Sequence, residues 1–104
     1  MHAAAQAALD LSRAGRDAWG ADATGRAAMR FHLAALGSAA GRAPDALRQR
    51  DSAIPWDAMA RFPGLLEDPW GVSDEAVWGA AVALGPLLAK LDALAGDRGG
   101  PEVA

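Results

Sequence analysis

Apolar positions recur at helical spacing along much of the chain, and most regularly in its last third. A continuous seam with spacings of four and three consists of Val77, Ala81, Leu84, Leu88, Leu91 and Ala95. Ser73 precedes this seam, and Asp74 and Glu75 follow directly. A short oxygen side chain can accept from the free N–H groups of a first helical turn, and acids are favoured there by the helix dipole. The pattern therefore predicts a long last helix that begins after Ser73.

Two further helices are predicted in the first part of the chain. One covers residues 2–19 and ends at Gly20, because glycine is favoured just after the last turn of a helix. The other is capped by Asp22 or Thr24, whose side-chain oxygens can accept from the first N–H groups, and it runs to about residue 41. Its apolar stripe consists of Met29, Leu33, Leu36 and Ala40, with Phe31 and Ala35 beside it.

Prolines divide the middle of the chain. Pro44 and Pro55 each suit the first position of a new helix, which predicts two short helices, the first ending near Arg50. Pro63, with the glycine that follows it, ends the second short helix. The residues from 63 to 72 are predicted to form a loop.

All the predicted elements are helical, and no segment alternates with period two, so the chain is expected to be an all-α protein. Pro86 lies inside the last helix and is expected to kink it near Val82. Residues 1–95 are predicted to form a single helical domain, and residues 96–104 a flexible polar tail.

Composition and charge narrow the function classes. The formal net charge is −3. A protein that binds nucleic acid mainly through the phosphates usually has a net positive charge, so RNA binding is possible but not favoured. The chain has no cysteine, and His2 and His32 lie far apart, so neither a metal site nor a cofactor is expected. No signal peptide is visible, and the most apolar run, residues 79–89, is shorter than a membrane span, so a cytoplasmic protein without a membrane anchor is expected.

Four short motifs occur in an order that resembles the HepT-like branch of the HEPN domain family. They are LGSAA at 36–40, IPW at 54–56, GVSDEAVW at 71–78 and GPLL at 85–88. The likeness covers about residues 24–95. It implies an up-and-down four- to five-helix bundle that forms a symmetric homodimer.

The resemblance also implies a toxin–antitoxin module. Its members are ribonuclease toxins with an Arg, four to six residues, then His-x-Tyr, in the loop before the last helix. Their partner is a small nucleotidyltransferase-type antitoxin that modifies the Tyr. In such a site the His would serve as acid or base, and the Arg would hold the phosphate and the charge that grows in the transition state.

The corresponding segment of this chain lacks all three catalytic residues. Relative to the flanking motifs, the family Arg position falls on Pro63, the His position on Glu67 and the Tyr position on Pro69. The sequence therefore predicts a HepT-like protein without ribonuclease activity that acts through dimerisation and partner binding. The alternative is an atypical ribonuclease that uses Arg61 with Glu67 or Asp68, although two adjacent acids repel a phosphodiester and an ionised carboxylate is a weak base.

Other residues near this segment have both a functional and a structural interpretation. Trp70, with Pro69 and Arg61, could form a dimer or partner surface, or Trp70 could pack beneath the loop. Trp56 and Trp78 are expected in the core, between the fourth and fifth helices. His32 is expected to be structural rather than catalytic. Five further arginines could face RNA but are expected to form ion pairs, and they are Arg26, Arg30, Arg42, Arg48 and Arg50.

Overall fold

A computed structural model of the chain describes the backbone of residues 1–67 and 73–99, and the side chains of residues 1–66 and 73–94. Most of the described backbone is helical and contains no strand, so the predicted all-α class is confirmed. The elements are α1 His2–Ser12, α2 Arg16–Gly20, α3 Ala23–Gly41, α4 Asp45–Arg50, α5 Trp56–Ala60, α6 Phe62–Glu67, α7 Asp74–Val82, a 3₁₀ turn Gly85–Leu87 and α8 Leu88–Gly99.

Helix α3 is the longest described helix and forms the centre of the bundle. It contacts α1 and α2 on one side, and α5, α6 and α7 on others. Its predicted stripe is confirmed, because all four residues of that stripe are at most 1% exposed. The core that surrounds it also includes Trp19, Ile54, Trp56, Met59, Val77, Leu84, Leu91 and Leu94.

Contacts at the two ends of α3 define the directions of its neighbours. Trp19, which follows α1 in the chain, lies beside Gly25 at the start of α3. Met1, which precedes α1, lines the same cavity as Ala43 just after the end of α3, so α1 runs antiparallel to α3. Asp74 at the start of α7 also contacts the first half of α3, so the last helices begin at the same end of the bundle as α3.

The predicted first helix is two helices. Gly15 adopts φ 94° and ψ 158°, a backbone conformation that side-chain-bearing residues rarely adopt, and it separates α1 from α2. The prediction of a single helix over residues 2–19 followed helical spacing, which does not distinguish a glycine within a helix from one that ends it. The turn places Trp19 in the core, where it is 2% exposed.

The predicted kinked last helix is also two helices. Pro86 has no N–H to donate to the carbonyl of Val82, and α7 ends at Val82. A 3₁₀ turn follows, in which the Leu87 amide donates to the Leu84 carbonyl at 2.9 Å. Ser73 caps α7 as predicted, because its hydroxyl accepts from the Ala76 amide at 3.2 Å.

Helix α8 extends further than predicted. Its backbone is helical to Gly99, so residues 96–99 continue a helix where a flexible tail was expected. Residues 100–104 lie outside the described part of the chain. Leu91 and Leu94 are buried, which anchors the described part of α8 on the core.

The stretch from Asp74 to Leu94 meets the length and composition of a membrane-spanning helix, with 21 residues and a mean hydropathy of 1.4. The expectation of a protein without a membrane anchor considered only the apolar run 79–89, and it stays a prediction. Core helices of globular proteins pass the same test, so it carries little weight alone. Only 28% of the apolar window is buried, which leaves much apolar surface on this part of the molecule.

Candidate functional site

The described part of the segment that was predicted to be a loop, residues 63–67, is helical. Helix α6 covers Phe62–Glu67, so the prediction of a loop from residue 63 is wrong. Pro63 is the second residue of α6, where an N–H has no intrahelical partner, and proline is therefore tolerated. Phe62 and Leu66 are partly buried against the core, and their burial favours helix over loop.

Arg61 is exposed and directly precedes α6, and its guanidinium forms no ion pair with any side chain that the structure describes. Glu67 is the last residue of α6, so the backbones of the two residues are roughly 9 Å apart along the helix axis. The side chain of Glu67, and all of Asp68, Pro69 and Trp70, lie outside the described residues. Their predicted roles in catalysis or at a partner surface therefore stay predictions.

Two of the tryptophans, Trp19 and Trp78, form a ring pair that the sequence did not predict. Trp56 is 6% exposed and donates from Nε1 to the Asp51 carbonyl at 3.0 Å, so its predicted core position is confirmed. Trp78 is partly buried, but its ring packs on Trp19 of α2, with centroids 5.4 Å apart and planes tilted by 43°. Trp78 thus joins α7 to α2, a contact that was not expected.

Three arginines from α2 and α3 meet the two acids at the start of α7. Arg30 lies 3.1 Å and Arg26 3.6 Å from the Asp74 carboxylate, and Arg16 pairs with Glu75. The ion-pair interpretation is confirmed for Arg26 and Arg30. These pairs fix the N-terminal end of α7 against the rest of the bundle.

We expect Asp74→Asn to lower the free energy of unfolding by about 1 kcal/mol, because it removes the charge that two arginines and the helix dipole favour. The loss should shrink at high salt, since the Asp74 side chain is 44% exposed and its pairs are partly screened. Urea denaturation at two salt concentrations measures this. The matched control is Asp57→Asn, at an acid in the first turn of α5 that is 86% exposed and should change stability less. Equal losses in both variants would contradict the expectation.

Arg48 joins three elements at the opposite end of the bundle. Its Nη2 donates to the Ala40 carbonyl at 3.1 Å and its Nε to the Ala43 carbonyl at 3.2 Å, which satisfies acceptors at the end of α3. Its Nη1 pairs with Asp57 of α5 at 3.2 Å. The ion-pair interpretation is thus confirmed for Arg48. A phosphate would have to displace these partners, so Arg48 is poorly suited to bind RNA.

The described residues contain no metal-binding constellation, since no group of three His, Cys, Asp or Glu side chains comes together in that part of the chain. His32 is partly buried, and its ring meets the edge of the Phe31 ring, with centroids 5.5 Å apart and planes at 74°.

Phe31 is the feature that sequence reasoning misplaced. It was expected beside the buried stripe of α3, but its side chain is 69% exposed and faces away from that stripe. Its four neighbours one turn away on the helix are all alanine, namely Ala27, Ala28, Ala34 and Ala35. We call this surface, Phe31 with the four alanines, the Phe31 face. Residues two positions apart lie on different faces of a helix, so the position of Phe31 two residues before Leu33 of the stripe already indicated this orientation.

Comparisons of the chain with protein-family models, with curated proteins and with solved structures find no match.

Proposed function

We propose that the chain is a non-catalytic interaction module of the HepT-like HEPN type, which forms a homodimer through the Phe31 face. A single observation carries this proposal: an aromatic side chain that is 69% exposed stands at the centre of a helix face without charged neighbours one turn away. Aromatic residues are enriched in the cores of protein interfaces and charged residues are depleted there. The occupant of this surface is a second copy of the chain.

Self-association is favoured by the shape of this face. Alanine side chains are short, so two α3 helices can approach closely around their phenylalanines. In a twofold dimer the same patch covers itself, so each Phe31 packs on the alanines of the other protomer. Burying an exposed phenylalanine removes apolar surface from water without desolvating a charge, which makes the contact favourable overall.

The lack of ribonuclease activity is proposed on the chemistry of the residues present. The positions that correspond to the family's Arg, His and Tyr hold Pro63, Glu67 and Pro69. Neither proline can donate a hydrogen bond from its side chain or its backbone nitrogen. Arg61 alone could hold a phosphate, but it has no neutral base nearby in the sequence. The atypical ribonuclease with Arg61 and Glu67 or Asp68 is the outcome that an activity assay must exclude.

The proposed working partner is a nucleotidyltransferase-type antitoxin in the cytoplasm, as the resemblance implies. A module without the catalytic residues can still bind such a partner, because partner binding depends on surface shape and not on acid–base groups. Co-expression of the two proteins followed by affinity purification tests this partner. Recovery of this chain alone would count against a toxin–antitoxin role.

We expect Phe31→Asp to abolish the dimer, because a central aromatic anchor typically contributes about 2 kcal/mol or more to association and the new charges would repel across the twofold axis. Sedimentation equilibrium of wild type and variant measures the change. The melting temperature of the variant monomer should be little altered, since the Phe31 side chain is mostly exposed. Val82→Asp is the matched control, at another exposed apolar residue that lies on α7. A dimer that survives Phe31→Asp and dissociates in Val82→Asp would place the interface on α7.

Purified protein should not cleave RNA. Cleavage by wild type that is lost in Arg61→Ala would contradict the non-catalytic proposal and favour a rearranged active site. A variant with Pro63→Arg and Glu67→His tests whether the scaffold gains ribonuclease activity when two of the family's catalytic residues are introduced.

A further inference from the structure

A surface cavity of about 410 Å³ lies where the end of α3, the start of α4 and the start of α1 meet. Its size falls in the range of roughly 300–1,000 Å³ that is common for small-molecule pockets. Six of its lining residues are apolar, and they are Met1, Ala39, Ala43, Pro44, Ala46 and Leu47. The floor of the cavity can therefore receive an aliphatic group.

Two arginines, Arg42 and Arg50, complete the lining. Both are exposed, and neither guanidinium forms an ion pair or a hydrogen bond with the residues that the structure describes. Asp51, the acid nearest to Arg50 in sequence, pairs with Lys90, and Asp45 at the start of α4 forms no ion pair with either arginine. The cavity lining thus carries two arginines that have no ion-pair partner among the described residues, in a protein of net charge −3.

The geometry points to a binding site for a small aliphatic molecule that ends in an oxyanion, either a carboxylate or a phosphate. The apolar lining would take the aliphatic part. Arg42 and Arg50 would take the anion, since a guanidinium presents a planar fork of donors that fits carboxylate and phosphate oxygens. This inference is independent of the Phe31 face and of any ribonuclease chemistry.

The lining argues against a nucleotide as the ligand. No aromatic side chain lines the described cavity, so a base would have no ring to stack on. No amide or hydroxyl side chain lines it either, so the edge of a base would find no side-chain donor or acceptor except the arginines. A flexible aliphatic chain needs neither feature, and Met1 can adapt to its shape.

The test is calorimetric titration of the intact chain with octanoate, octyl phosphate, inorganic phosphate and octanol, all below the concentration at which micelles form. Octanoate or octyl phosphate should bind one to one, and the stronger of the two identifies the anion. The double variant Arg42→Ala/Arg50→Ala should weaken this binding roughly tenfold or more, because it removes charge-assisted hydrogen bonds. Ala46→Phe, at an exposed position of α4, should weaken it by filling the cavity.

Arg13→Ala is the control for long-range electrostatics, because Arg13 is an exposed arginine distant from the cavity lining, and its removal changes the net charge by one, half the change in the double variant. Its affinity should stay within about twofold of wild type, since only screened long-range attraction is lost. Octanol binding as tight as octanoate would overturn the role of the arginines. Inorganic phosphate binding as tight as octyl phosphate would overturn the role of the apolar lining. Absence of binding by every probe at millimolar concentration would overturn the site itself.

Discussion

Replacement of Trp19 by alanine is expected to lower the free energy of unfolding by about 3–5 kcal/mol, as large-to-small changes of buried aromatic residues do. Trp19 is 2% exposed, and its ring packs on Trp78 with centroids 5.4 Å apart. A domain of this size has a total stability of about 5–15 kcal/mol, so the variant should unfold partly at room temperature. Urea denaturation followed by circular dichroism measures the change.

The effect of Trp19→Ala combines lost packing with a lost hydrogen bond. The indole Nε1 donates to the Gly25 carbonyl at 3.2 Å, and the Arg16 guanidinium lies 5.2 Å from the ring centroid. Trp19→Phe keeps one six-membered aromatic ring but loses the N–H donor and part of the ring volume, so we expect a loss that is smaller than that of Trp19→Ala. A Trp19→Ala protein as stable as wild type would show that α2 does not pack on α7.

A methyl group added at Gly37 is expected to destabilise the protein by about 1–3 kcal/mol, as overpacking of a core does. A Cβ atom at this position would collide with the Met59 carbonyl oxygen, and it would lie 2.7 Å from Pro63 Cδ and 2.8 Å from Phe62 Cβ. A backbone oxygen and a proline ring cannot rotate away as the end of a flexible side chain can. Gly37→Ala should therefore push α5 and α6 away from α3, and differential scanning calorimetry should show a lower melting temperature.

The matched control for this change is Gly79→Ala on α7. No heavy atom lies within 4 Å of a Cβ atom built there, so the substitution has no steric cost. Alanine in a helix interior is favoured over glycine by about 1 kcal/mol, so this variant should melt at a higher temperature than wild type. Opposite signs at Gly37 and Gly79 are the expected result. A higher melting temperature in both variants would contradict the close approach of α3 to the α5–α6 segment.

Helical spacing predicted the helices that bury a continuous stripe, and it was less successful where one residue ends an element. The stripe of α3 and the Ser73 cap of α7 were predicted because apolar period and capping chemistry are local properties. The break at Gly15 was not predicted, because glycine also occurs within small-residue stripes of helices. Pro86 indicated an interruption of the helix, but the missing proline N–H is compatible both with a kinked helix and with two separate helices, so the sequence did not distinguish them.

The candidate site depended more strongly on three-dimensional context. The pairing of Arg30 with Asp74 joins residues 44 positions apart, and no local pattern specifies such a distance. The orientation of Phe31 was missed because its own turn of α3 is apolar on several sides, so hydrophobicity placed Phe31 beside the correctly predicted stripe although the helical register places it on another face. The cavity next to Pro44 arises where three helix ends meet, and its two arginines were first considered as part of a solvated face.

Arg48 also affects the rigidity of the cavity wall and therefore how the proposed ligand would bind. Its guanidinium holds the carbonyls of Ala40 and Ala43 and the carboxylate of Asp57 at once, so the end of α3 is fixed relative to α4 and α5. The wall that includes Ala43 and Leu47 therefore has its final shape before any ligand arrives. Binding to such a preorganised wall would order only the ligand and the side chains around it, so no opening step should slow association and affinity should depend on the dissociation rate.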